Sequence, residues 1–113
     1  MANTFKLETD SNIGTTESTI YTVPASGVDA TVIIGLLLSS RSTTEGGITA
    51  TVKIYPSSGD TVHVVKNVPL PVGSSLEIMA GNKIVLEAGD AVKVTSSEAT
   101  SIDAALSILE MSS

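Results

Sequence analysis

The side chains that could do chemistry are few, and their types settle most of what the chain can do. A single histidine, His63, stands in the run Thr61-Val62-His63-Val64-Val65. An imidazole acting as a general base needs a nucleophile in reach and a carboxylate to orient it. The sequence-near carboxylate is Asp60, in a Gly-Asp turn. Val62, Val64 and Val68 hold one inward phase, so His63 points to solvent as an ordinary surface side chain. No Gly-x-Ser-x-Gly is present, so a serine triad lacks both its elbow and its base. With one His and no Cys, a multi-histidine centre, a Cys-ligated metal, a disulfide and a thiol nucleophile are all excluded.

The carboxylates are no better placed. Asp60 and Asp90 each follow Gly in a turn and Asp10 lies in a polar stretch, without the spacing of a calcium loop. Asp in such turns accepts local backbone N–H groups, which explains both without a metal. Glu77, Glu87, Glu98 and Glu110 could pair for glycoside cleavage, as chance pairs do in any acidic β-protein. A sugar groove also wants aromatic platforms, and the chain has no Trp, one Phe (Phe5) and two Tyr (Tyr21 and Tyr55). The same shortage counts against stacking on single-stranded nucleic acid. Gly46-Gly47 and Gly73-Ser74-Ser75 lack phosphate-loop spacing and read as turns. Neither an enzyme nor a cofactor is expected.

Charge removes further classes. Six Lys and Arg against twelve Asp and Glu give −6, the wrong sign for a duplex-binding protein or a basic membrane-surface binder. No nucleic-acid or membrane partner is expected. Met1-Ala2-Asn3-Thr4 carries no basic start and no apolar stretch follows it, so the opening reads as no signal peptide. The near-apolar run Ala30 to Leu38 spans nine residues, against the roughly 20 of a membrane helix.

The elements that carry these residues are strands. At 113 residues the chain makes one domain with one core. Thr, Val and Ile number 36, and these β-branched types favour strands. Ser and Thr number 30 and charged residues are 16%, so the wet faces are neutral and hydroxyl-rich. Turn signals recur every eight to twelve residues, from Asn12-Ile13-Gly14 through Pro24-Ala25-Ser26-Gly27 to Glu87-Ala88-Gly89-Asp90. Between them apolar residues alternate, as in Ile48, Ala50, Val52 and Ile54. One-sided alternation means antiparallel strands with one wet face.

The expected fold is all-β: an antiparallel β-sandwich, jelly-roll-like, with 7–9 strands. Seven strands are placed near 18–23, 29–40, 48–55, 61–68, 82–87, 90–96 and 101–110, with an eighth at 75–79. Residues 1–12 form an N-terminal arm or an edge strand, and 13–113 a single sandwich domain. Within 101–110, Ile102, Ala105, Leu106 and Leu109 also fit a helical stripe, but Ile102, Ala104, Leu106 and Ile108 alternate intact and strand is preferred.

The run Val32 to Leu38 is apolar in both phases. Val32, Ile34, Leu36 and Leu38 take one; Ile33 and Leu37 take the other, with Gly35 between. One phase fills the core. The other needs a cover, because contiguous exposed apolar surface is uncommon on a soluble monomer. The cover is either a neighbouring subunit or the chain's own N-terminal segment with Phe5 and Leu7. Ile33, Leu37, Phe5 and Leu7 are the candidate assembly contacts, and closed symmetry, a ring or trimer, is the expected form.

Several stretches carry a resemblance. They are the opening Met-Ala-Asn-Thr-Phe-Lys, Thr19-Ile20-Tyr21-Thr22-Val23-Pro24-Ala25 before the apolar strand, and Val68-Pro69-Leu70-Pro71-Val72-Gly73. Lys83-Ile84-Val85-Leu86-Glu87-Ala88-Gly89-Asp90 and Val92-Lys93-Val94-Thr95-Ser96 follow. With these the chain resembles the small virion proteins of tailed bacteriophages, particularly cyanophage-like ones. Where many members have Ala-Asn-Thr after the apolar strand, this chain has Ser39-Ser40-Arg41-Ser42-Thr43-Thr44. The resemblance implies a jelly-roll-like module on the outside of a head, neck, tail or fibre, with no catalytic residues to carry over. The implied function is a non-enzymatic structural or accessory virion protein, most simply a head-decoration (cement) subunit. The implied partners are copies of itself and other virion proteins such as the major capsid protein, and the implied location is the virion after synthesis in the host cytoplasm. The alternatives are a neck, tail or fibre module, or a module that binds glycans or a cell surface.

Overall fold

The computed structural model describes residues 2–112. Nine strands form two antiparallel sheets: β1 (Ala2–Ile13), β2 (Ser18–Thr22), β3 (Ala30–Ser40), β4 (Ile48–Tyr55), β5 (Val62–Leu70), β6 (Ser75–Glu77), β7 (Ile84–Leu86), β8 (Ala91–Ser96) and β9 (Ile102–Ser112). No helix occurs among the described residues. The five-stranded sheet runs β1-β9-β3-β6, with β7 also on β3, and the four-stranded sheet runs β2-β8-β4-β5. If β6 and β7 are taken as one interrupted strand, β1 pairs β9, β2 pairs β8, β3 pairs β6/β7 and β4 pairs β5. That nesting of four hairpin-like pairs is the jelly roll.

The core lies between the sheets. Ile48, Ala50, Val52 and Ile54 of β4 are buried in strict alternation. They meet Leu36, Leu38, Ile102, Leu106 and Ile108 of the opposite sheet within one apolar cluster. Residues 101–110 are strand rather than helix, because the alternating set Ile102, Ala104, Leu106 and Ile108 is fully taken up by this core.

Register shifts interrupt the β1–β9, β2–β8, β3–β9 and β4–β5 pairings, and those in β3 and β5 matter most here. In β3 the register on β9 passes from Ile33↔Ile108 to Gly35↔Ser107, leaving Ile34 as an extra residue. The inward set therefore switches from Thr31 and Ile33 to Leu36 and Leu38. Ile33 is 1% exposed and belongs to the core, which corrects its placement in the outward phase with Leu37. The bulge is held by a distant carboxylate. Glu77 accepts from the N–H groups of Leu36 and Met79, each at 2.9 Å. A Cβ on Gly35 would stand 2.8 Å from Glu77 Oε1, so a side chain there would make that carboxylate shift. In β5, shifts on either side of Val52 bring Val65 rather than Val64 opposite Val52. Asn67, at φ 51°, makes the irregularity, and its N–H donates to Thr51 Oγ1 at 3.0 Å.

Candidate functional site

The pairing registers assemble one apolar surface on the outer face of the five-stranded sheet. Residues directly opposite in antiparallel strands share a face. Phe5 lies opposite Leu109, Leu109 opposite Val32, and Val32 opposite Val85, so one row of apolar side chains crosses four strands. Neighbouring rows add Leu7 beside Ser107 and Gly35, then Thr9, Ala105 and Leu37. Phe5 is 74% exposed, Leu7 63%, Val85 61%, Leu37 40% and Ile34 37%. Among the described residues, the exposed large apolar side chains that lie elsewhere are Val62 and Val72. Contiguous exposed apolar surface of this kind is uncommon on monomeric proteins.

Of the four residues singled out from sequence, Phe5, Leu7 and Leu37 share this face, and Ile33 does not. The N-terminal segment does not fold over β3 as an intrachain cover. It extends the sheet sideways through β9, and Phe5 and Leu7 add to the exposed surface. Val32, Ile34, Val85 and Leu109 complete the surface and were not singled out. A signal for Leu109 was present: Ala105 and Leu109 are the outward apolar residues that let 101–110 fit a helical stripe.

One end of the face holds an open groove of about 440 Å³ between Thr9, Asp10, Ser11, Leu37, Ser39 and Asp103. Its polar groups are hydroxyls and carboxylates, and no aromatic side chain lines it. Among the described residues no three His, Cys, Asp or Glu side chains gather in metal-binding geometry. His63 is exposed and stands opposite Lys53 in the β4–β5 ladder. Asp90 is a turn residue: its carboxylate accepts from the N–H groups of Ser57 at 2.8 Å and Glu87 at 2.9 Å. Desolvation opposes its ionisation, but these donors outweigh it and hold its pKa below the usual carboxylate value.

A buried polar cluster fastens β1 at the other end. Tyr21 donates its hydroxyl to Glu110 Oε2 at 2.6 Å, and Thr31 Oγ1 lies 2.9 Å from the same hydroxyl. Tyr21 is 7% and Glu110 8% exposed. Lys6 of β1 closes the cluster, with Nζ 3.3 Å from Glu110 Oε1. Burial first, and then the bond to Glu110, push the Tyr21 hydroxyl up to about 12. The cluster joins β2, β3, β9 and β1. The loop after β2 and the turn before β8 also meet: the Val23 N–H donates to Asp90 O at 2.9 Å, and the Gly89 N–H to Val23 O at 3.0 Å.

The chain matches no protein-family model and no curated protein sequence. Among solved structures, its fold is similar over 99% of its length to 88% of a chain from the Bacillus endospore appendages, a family of disulfide-linked pili (TM-score 0.58, 16% identity). It is similar over 95% of its length to 32% of the VP2 chain in the subviral particle of infectious bursal disease virus (TM-score 0.58, 12% identity). A chain of the Gx strain of that virus gives TM-score 0.54 at 14% identity. The chain thus spans about a third of the viral chains it resembles. The pilus and viral chains share the β-sandwich with it, and at these identities the likeness is one of fold.

Proposed function

We propose that the chain is a non-enzymatic structural subunit of a tailed-phage virion, a head-decoration protein that adheres through the outer face of its five-stranded sheet. The observation that carries this reading is the row Phe5–Leu109–Val32–Val85 with Leu7 and Leu37 beside it, an apolar surface that the chain itself leaves uncovered. The resemblance to small phage virion proteins and the shared fold with pilus and virus-particle chains support it. Fold alone does not assign a function, so the weight rests on the face.

The mechanism is adhesive. Fully burying one Leu, Val or Phe side chain is worth roughly 1.5–3 kcal/mol. A lattice of identical sites multiplies such weak contacts into avidity. The partner on the lattice is the major capsid protein, and the subunit is itself a closed homo-oligomer. The groove beside Leu37 offers no aromatic platform, which leaves a glycan-binding role without support.

The test is the copy number per particle by quantitative mass spectrometry of purified virions. Hundreds of copies support a head-decoration role. A small multiple of three or six moves the subunit to the neck, tail or fibre. Absence from the particles overturns the reading.

A further inference from the structure

β1 ends the five-stranded sheet, and no described strand pairs with its outer edge. Which backbone groups face that edge follows from β9. The Leu36 carbonyl accepts from Ile78 and the Ser40 N–H donates to the Ser74 carbonyl, both on the β6 side, so Gly35, Leu37 and Ser39 face their β9 partners Ser107, Ala105 and Asp103. Backbone groups alternate in direction along a strand. Odd-numbered residues of β9 therefore bond toward β3, and even-numbered ones toward β1. With Lys6 opposite Ile108 and Glu8 opposite Leu106, the even-numbered residues of β1 bond to β9. The N–H and C=O groups of Asn3, Phe5, Leu7 and Thr9 are left pointing outward.

Edges of this length usually carry a proline, a bulge, a cover or inward-pointing charges, and the inner-side charges of β1, Lys6 and Glu8, are of opposite sign and can be paired by a second copy. β1 has no proline, and its register stays regular from Ala2 to Asp10. The inner flank of β1 is open as well, since Thr4 and Lys6 are exposed beneath it.

We infer that this edge is an interface between two copies of the chain, β1 against β1, antiparallel across a two-fold axis with Leu7 opposite Leu7. The inference rests on the reading of the chain as an assembling structural subunit, and names how the copies meet. Charge selects the register. With Leu7 on the axis, Lys6 of each copy faces Glu8 of the other, Phe5 faces Thr9, and Thr4 faces Asp10. An axis at Lys6 sets Lys6 against Lys6. An axis at Glu8 sets Glu8 against Glu8, and one at Thr9 sets Glu8 against Asp10. An axis at Phe5 loses both opposite-charge pairs. Opposite charges in cross-strand positions stabilise a pair and like charges destabilise it. Only the Leu7 axis has two opposite-charge pairs and no like-charge pair. It also sets Phe5 and Leu7 of both copies side by side on the outer face, so that the apolar surface runs unbroken across the dyad.

The chain has no cysteine, so disulfide trapping reads the register directly. Directly opposite residues of a hydrogen-bonded antiparallel pair have Cα atoms about 5.5 Å apart, inside the range of roughly 4.4–6.8 Å that a disulfide spans. The variants Leu7→Cys, Phe5→Cys and Thr9→Cys are oxidised separately, and the last two also as a mixture, at tens of micromolar. All three positions are exposed, and circular dichroism confirms that each variant folds. Leu7→Cys should double its mass from 11.5 kDa in non-reducing gels. Phe5→Cys and Thr9→Cys should stay monomeric alone and cross-link when mixed. Equal cross-linking of Phe5→Cys alone overturns the register. No Leu7→Cys dimer, with the parent chain oligomeric by light scattering, overturns the edge contact and leaves the apolar-face reading standing. No Leu7→Cys dimer with a monomeric parent removes the edge contact and self-association together, and capsid binding through the face is then judged by copy number alone.

Discussion

Replacing Tyr21 with Phe removes one oxygen from the cluster that ties β1 and β2 to β3 and β9, and the cost can be worked from its surroundings. The ring stays buried, so the apolar contribution is unchanged. The lost group is a hydroxyl 2.6 Å from Glu110 Oε2 and 2.9 Å from Thr31 Oγ1, with Tyr21 and Glu110 7% and 8% exposed. Hydrogen bonds to charged groups contribute about 1.5–3 kcal/mol, and a carboxylate buried without its donor recovers little from water. Lys6 still faces the other carboxylate oxygen, so the expected loss is about 1.5–2.5 kcal/mol. In a domain of about 100 residues, 1 kcal/mol shifts the melting midpoint by roughly 4–8 °C. Tyr21→Phe should therefore melt roughly 6–20 °C lower, and lose stability in urea at an unchanged m-value. A double-mutant cycle with Glu110→Gln should return a coupling above about 1 kcal/mol. A loss under about 0.5 kcal/mol, or additive effects in the cycle, would refute the reasoning.

The same cluster gives a pH dependence. Tyr21 is raised from 10.0 to about 12 in the folded chain, so its contribution is complete below pH 10 and is lost as pH rises from there toward 12. Two pH units of displacement correspond to about 2–3 kcal/mol. Urea midpoints should fall steeply over that window in the parent and less in Tyr21→Phe; equal slopes would contradict the assignment. Gly35→Ala pushes the Glu77 carboxylate off the β3 bulge and its two N–H donors, and should cost about 1–2 kcal/mol by denaturant melts. In a Glu77→Ala background the same change should cost almost nothing. His63→Gln should alter stability by under about 0.5 kcal/mol, and a larger loss would reveal a partner for the imidazole.

The parts of the fold that follow local rules were legible in the sequence. β4 spans Ile48–Tyr55 as its alternation requires, and β8 and β9 present the apolar phase to the core. The bulge in β3 was not legible, because its cause is 42 positions away: the Glu77 carboxylate occupies the space beside Gly35. That one-residue shift exchanged Ile33 and Ile34 between core and surface. β1 was ambiguous for a different reason. Its polarity is reversed, with Phe5 and Leu7 toward solvent and Lys6 and Glu8 on the inner side, because β1 lies at the sheet edge, where its inner flank stays open. Alternation reveals that two phases differ but not which sheet lies behind them. The apolar face as a whole is a product of register, since Phe5, Val32, Val85 and Leu109 are distant in sequence and meet only through three strand pairings.

The central claim is that the outer face of the five-stranded sheet is the adhesive surface. On the proposed virion role, it is tested most directly by the affinity of a Leu37→Ser/Val85→Ser double variant for particles that lack this subunit. Both side chains are partly exposed, at 40% and 61%, so the substitutions spare the core and the variant should fold with the parent's circular dichroism spectrum. Burying the exposed parts of these side chains at a contact is worth about 1 kcal/mol each, about 2 kcal/mol per bound copy. The account predicts binding to the particles at least roughly tenfold weaker than the parent's. A folded double variant that binds with the parent's affinity would contradict it.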